Sequence, residues 1–167
     1  MPGAISGVTV EIRETSDDLL LTYIVSGAKN LVLPDWSATR RSDGLWKATC
    51  FELFLKPVEG DAYFELNFSP STEWAAYQFD RYREGMRDLP LVIPPQIDRG
   101  ADGAEYVIEV DFDLSGFADC EFDMGLSAVI EETNGTKSYW ALAHPPGKPD
   151  FHHSDCFALK LAAAGIL

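Results

Sequence analysis

Apolar side chains recur at every second position along most of this chain, in runs too short for ordinary helices. Residues 105–112 are the cleanest case: Tyr106, Ile108, Val110 and Phe112 point one way, and Glu105, Glu109 and Asp111 the other. Residues 122–131 place Phe122, Met124, Leu126, Ala128 and Ile130 on one side. A period of two is the pleat of a strand with one face in a core, whereas a helix repeats its apolar stripe every three or four residues. Residues 5–13 and 18–25 carry the same signal on either side of Thr15-Ser16-Asp17, which reads as a hairpin loop. Residues 49–55 and 62–68 flank a Pro- and Gly-containing turn, and Ser69-Pro70-Ser71-Thr72 leads into a strand over 73–80. Asp102-Gly103 and Asn134-Gly135 are hairpin signals ahead of strands at 105–112 and 138–144. Residues 156–161 close the series, and a short turn over 113–118 is the one helical candidate. Ten prolines and thirteen glycines punctuate these runs. The pattern predicts an all-β sandwich or barrel with little helix, in a single domain over residues 1–167.

Charge narrows the partners. With 27 acidic side chains against 13 Lys plus Arg, the net charge is -14. A bulk nucleic-acid binder starts from a basic footprint, and an anionic membrane attracts basic segments, so neither partner is expected. The N-terminal residues lack a basic segment followed by an apolar run, so no signal peptide is predicted. No apolar run approaches the ~20 residues of a membrane span. Cys50, Cys120 and Cys156 are odd in number and widely spaced, which suits neither a disulfide framework nor a Cys-x-x-Cys metal site. A cytoplasmic protein with reduced cysteines is the expectation.

Three regions carry candidate chemistry. In the central strands Phe51, Leu53, Leu55, Phe64, Leu66 and Phe68 read as core. The opposite face then carries Glu52, Tyr63, Glu65 and Asn67, joined in this reading by Trp74 and Gln78. Such a face is either solvated or a polar ligand surface. Sugars suit it, because an aromatic ring covers the apolar face of a pyranose while carboxylates and amides bond its hydroxyls. Two carboxylates on one surface also raise the alternative of glycoside hydrolysis.

The loop 35–47 holds Trp36, Arg40, Arg41 and Trp46 in an otherwise acidic chain, and Arg81-Tyr82-Arg83 follows the third central strand. Arginine forks bind carboxylate or phosphate groups, or pair with local acids. Finally, His144, His152 and His153 lie within ten residues of one another, close to Trp140, Asp150 and Asp155. They could form a mixed nitrogen and oxygen metal site or an ordinary hydrogen-bonded loop. Hydrolase elbows and phosphate-binding glycine motifs are absent from the sequence.

Residues 45–55, the Tyr63-Phe64-Glu65-Leu66-Asn67-Phe68-Ser69-Pro70-Ser71 block with Trp74-Ala75-Ala76-Tyr77, and Trp140-Ala141-Leu142-Ala143-His144-Pro145 with Pro149-Asp150-Phe151-His152 together resemble the bacterial DOMON-like type 1 proteins, related to family 9 carbohydrate-binding modules. The likeness runs from about residue 8 to residue 162. It implies an immunoglobulin-like antiparallel β-sandwich that binds a sugar or haem and does no chemistry. It matches Glu52, Glu65, Asn67 and Pro70 to the shared core of those modules. They hold a terminal sugar between two Trp rings, for which Trp36, Trp74 and Trp140 are available. Haem-binding relatives use a Met and a His, and Met86 with His144 or His152 could supply them. Some relatives are associated with an enzyme of peptidoglycan-precursor synthesis. The expected function is therefore a non-catalytic domain for a carbohydrate or sugar-derived metabolite, with no cofactor and no catalytic residue. Its expected ligand set is Trp36, Arg40, Glu52, Glu65, Asn67, Trp74, Tyr82, Arg83, Trp140, His144 and His152.

Overall fold

The structure is a computed structural model that describes residues 4–117 and 120–161. Ala118, at the end of the predicted turn, lies outside the described residues, as do the extreme ends of the predicted domain.

The described strands are β1 (Gly7–Glu14), β2 (Asp18–Ser26), β3 (Cys50–Pro57), β4 (Tyr63–Phe68), β5 (Trp74–Phe79), β6 (Arg87–Asp88), β7 (Gln96–Asp102), β8 (Glu105–Asp113), β9 (Phe122–Glu131), β10 (Lys137–Ala141) and β11 (Leu159–Leu161). They make two wholly antiparallel sheets. One is ordered β1-β2-β8-β7; the other is ordered β10-β9-β3-β4-β5-β6, with β11 also pairing with β9. The arrangement is a sandwich, not a barrel. The alternation read in the sequence explains it. Leu19, Leu21, Tyr23 and Val25 of β2 and Tyr106, Ile108, Val110 and Phe112 of β8 face Phe51, Leu53, Leu55, Leu66 and Phe68 of the larger sheet in one core. The Tyr23 hydroxyl crosses the core and donates to the Glu52 carbonyl at 2.8 Å. That bond satisfies a buried polar group that would otherwise cost about 1–3 kcal/mol.

Several boundaries differ from the sequence reading, each for a local reason. Strand β7 was not predicted, because Ile97 is its one buried residue and the pattern has no alternation to detect. The same holds for the two-residue edge strand β6, which is exposed throughout. Strand β10 stops at Ala141, short of the predicted residue 144, ahead of Pro145-Pro146. The last strand keeps only Leu159–Leu161, because Ser154–Cys156 forms a 3₁₀ turn. A similar turn at Ser115–Phe117 occupies the predicted helical position. Among the described residues, no helix is long and apolar enough to cross a membrane.

Candidate functional site

Residues directly opposed in an antiparallel pair share a face. Glu52 opposes Asn67 on β4 and Ser127 on β9, and Glu65 opposes Phe54 on β3 and Tyr77 on β5. All of them therefore occupy the outer face of the larger sheet. This face is not solvated. Phe54, Tyr63, Ala75, Tyr77, Phe79 and Val129 form a second apolar cluster on it, closed by Phe151 from the segment after β10. Three loops complete the cover. The 3₁₀ turn Leu45–Lys47 sets the Trp46 ring edge-on to Tyr77 at 6.1 Å. The turn after β5 brings Arg83 and Met86, and the segment after β10 brings His152 beside Phe151.

That turn is held in an unusual backbone. Arg83 sits at φ 53° and Gly85 at φ 72°. A Cβ at Gly85 would meet the Asp80 carboxylate at 2.1 Å, so glycine is required there. The Arg83 amide donates to the Tyr63 hydroxyl at 3.1 Å, and its guanidinium pairs with Asp150 at 2.6 Å. The Tyr82 hydroxyl donates to the other oxygen of Asp150. Asp150 thereby ties the two covering loops together.

Between cover and sheet lies a cavity of about 400 Å³. Glu52 and Glu65 form its polar floor, only 3% and 5% exposed. Phe79, Val129 and Phe151 line its apolar side, and Trp46, Tyr139 and Met86 stand at its more exposed edge. Ser127 donates to Glu52 at 3.1 Å. His152 Nδ1 lies 2.7 Å from the Tyr63 hydroxyl and Nε2 lies 3.4 Å from a Glu65 oxygen. Tyr63 accepts from the Arg83 amide, so its one proton is free to go to Nδ1. That leaves the His152 proton on Nε2, facing Glu65. Burial, reinforced by the Arg83 charge, pushes the His152 pKa down to about 4, so the ring is neutral. Burial raises both carboxyls above the ordinary range; Glu65 raises Glu52 further, while Asn67 and Arg83 restrain Glu65. Two buried carboxyls side by side cannot both ionise cheaply, so the pair retains a proton near neutrality.

Of the residues named from sequence, Glu52, Glu65, Arg83 and His152 line this cavity. Asn67 adjoins its floor, and Tyr82, which does not line the cavity, bonds Asp150 beside it. The rest fall elsewhere. Trp74 opposes Phe68 in register and so packs in the inner core, as does Ala76, and Gln78 opposes Phe64 on that same inner side rather than on the ligand face. The five-residue connection from Ser69 to Glu73 sets that register, and it puts Ala75, Tyr77 and Phe79 on the outer face in place of Trp74. The Trp74 ring instead lies against the Arg41 guanidinium at 4.6 Å. Trp140 opposes Ala128 and also turns inward. Trp36 is exposed away from the cavity, and Arg40 pairs with Glu73 at 2.8 Å. His144 is exposed, 6.2 Å from the Phe151 ring. Among the described residues, no three His, Cys, Asp or Glu side chains gather to hold a metal ion. Sequence reasoning missed Phe79, Val129, Tyr139 and Phe151. For Tyr139 the signal was there: it alternates with the inward Trp140.

No family model matches this chain, and no curated protein matches it. Solved structures do. A protein of Bacteroides uniformis ATCC 8492, thought to bind carbohydrate, is 16% identical, with a TM-score of 0.63 over 92% of this chain and 76% of that one. A family 9 carbohydrate-binding module of Caldicellulosiruptor kristjanssonii, solved in complex with glucose, is 11% identical, with a TM-score of 0.55 over 99% of this chain and 83% of that one. The chain is thus an all-β antiparallel sandwich of the family 9 carbohydrate-binding-module type in fold.

Proposed function

We propose that this protein is a non-catalytic, cytoplasmic domain of the DOMON-like type that binds a carbohydrate or a sugar-derived metabolite in the cavity on the outer face of its larger sheet. One observation carries the reading: buried Glu52 and Glu65 form the floor of a cavity walled by Phe79 and edged by Trp46 and Tyr139. Carboxyls to hold hydroxyls and rings to cover the apolar sugar face are the components such a ligand needs. The similar module solved with glucose supports the same reading. An enzyme of cell-wall precursor synthesis is the partner that the family resemblance implies.

A thermal-shift series with mono- and disaccharides, amino sugars and nucleotide sugars tests the reading. A ligand at ~100-fold excess over its Kd should add about 2.7 kcal/mol of stability. Trp46→Ala should reduce the shift. A series with no response to any sugar ends the proposal.

Met86 and His152 line the same cavity, which is what a haem module would need. The donor set fits poorly, however. Both His152 ring nitrogens face partners, Tyr63 and Glu65, so neither is free for iron. Purified protein titrated with haem should give no Soret band; a band would revive that alternative.

A further inference from the structure

We propose that the cavity recognises its ligand by a protonated amine, seated between the Glu52 and Glu65 carboxyls and the Asn67 amide oxygen. On the sugar-binding reading above, on which this inference rests for the remainder of the ligand, the ligand is an amino sugar.

The first support is a charge without a counterpart. Among the described residues, Glu52 has no Lys, Arg or His within 4.0 Å, and Glu65 has only His152, which is neutral. Arg83, the one cation lining the cavity among the described residues, is already engaged by Asp150 at 2.6 Å. Buried carboxyls without a cation are costly, and a ligand that brings one recovers that cost.

The second support is the amide beside the acids. Asn67 is fully buried and lies directly opposite Glu52 on the same face; its amide is near enough to Glu65 to hold that carboxyl's pKa down, yet neither its nitrogen nor its oxygen makes a hydrogen bond of ordinary geometry. Orphaned buried amides are rare in folded proteins and mark a place where a partner is absent. An ammonium has three donors and no acceptor. It can give one each to Glu52, Glu65 and the Asn67 oxygen, with the Asn67 nitrogen left on the side of Glu65. A hydroxyl offers one donor and leaves the charge uncompensated. The Trp46, Tyr139 and Phe79 rings add to the preference, since aromatic faces attract cations.

The same geometry couples binding to protons. Near neutrality the carboxyl pair keeps a proton that an incoming ammonium would displace. The other groups facing the pair do not interfere. Burial keeps Cys50, Tyr63 and Tyr77 protonated, His152 stays neutral, and Arg83 and Asp150 offset each other.

Calorimetry at pH 7 with glucose, N-acetylglucosamine, glucosamine and n-butylamine tests the proposal. Glucosamine should bind at least about tenfold more tightly than either neutral sugar, or about 1.4 kcal/mol. Its binding should release up to about one proton, seen by repeating the titration in buffers of different ionisation enthalpy, and glucose should release none. Glutamine at either position, Glu52→Gln or Glu65→Gln, should bring the ratio towards one. Glucose binding as tightly as glucosamine overturns the amine and leaves the sugar reading standing. Butylamine binding while no sugar does would uphold the amine and end the sugar reading. Failure of all four ligands overturns the amine, and the wider sugar series above then decides the sugar reading. A glucosamine preference that survives in both folded variants places the amine elsewhere and overturns the proposal. Selectivity and proton release are read on the wild-type protein, so the proposal stays testable if a variant does not fold.

Discussion

Along β8 of the smaller sheet, Tyr106, Ile108, Val110 and Phe112 are buried while Glu105, Glu109 and Asp111 stand in water. Along β3 of the larger sheet, six consecutive residues from Cys50 to Leu55 are buried. Both strands sit in the interior of antiparallel sheets, yet one has a wet face and the other has none. An antiparallel sheet can leave one face to solvent at little cost. Covering the second face requires loops long enough to fold over it, and the segments 31–49, 80–95 and 142–158 provide them. The difference locates function. Acids on the outer face of β8 need no explanation, whereas Glu52 and Glu65 are acids kept out of water, a cost that a ligand can offset.

The sharpest way to break this comparison is to truncate one outward residue in each sheet. Phe54 is 1% exposed and packs on Tyr63, Phe157 and His152. Phe54→Ala should cost about 3–5 kcal/mol in denaturant unfolding, as a core truncation does. Thr22→Ala on the outer side of β2 should change stability by no more than about 0.5 kcal/mol. Equal effects would mean that the second apolar cluster is not a core. Gly125 gives the next largest effect. A Cβ there would approach the Phe157 ring at 2.8 Å and the Cys156 carbonyl at 3.1 Å. Gly125→Ala should therefore destabilise by about 1–3 kcal/mol by forcing the cover away from the sheet. A neutral result would mean that the cover yields freely.

The same contrast decides what was legible in the sequence. One-sided strands such as β2 and β8 print their burial as alternation, so an all-β sandwich or barrel could be read from it, and the family resemblance pointed to the sandwich. On β3 and β4 the alternation was also readable, and it placed Glu52, Glu65 and Asn67 together on one face. That this face is covered was not readable, because Trp46, Met86 and Phe151 come from three loops with no local pattern. Trp74 was misassigned because its face depends on the register across the preceding turn, and both faces of that sheet accept an aromatic ring. Strand β7 carried no signal, since an edge strand with one buried residue resembles a loop.

Titration separates the two sheets more finely. Above an ordinary histidine pKa of about 6.5, His152 is neutral folded or unfolded and contributes nothing to pH dependence. The buried glutamates still do. In the unfolded chain they are fully ionised there, whereas the folded pair holds a proton. The folded state binds more protons, so stability falls as pH rises from about 6.5 towards 8, by at most about 1.4 kcal/mol per unit for one retained proton. Below about 6.5, His152 works in the opposite sense, because the unfolded ring takes up a proton that the folded ring refuses until about 4. Thermal unfolding across this range should show the fall above pH 6.5, and Glu52→Gln should flatten it. A flat wild-type profile there would mean that the pair ionises freely.

The smallest effect belongs to the charges outside both cores. Arg40 pairs with Glu73 at 2.8 Å, but its side chain is 67% exposed. An exposed pair gains little from Coulomb attraction in water and loses side-chain entropy in forming. Arg40→Ala should therefore change stability by about 0–1 kcal/mol, less at high salt. Because Arg40 lies outside the cavity, the variant should also leave sugar binding unchanged, which a parallel ligand titration would check. A loss of affinity in Arg40→Ala would extend the binding surface beyond the covered face and break the division between the covered and solvated surfaces of the molecule.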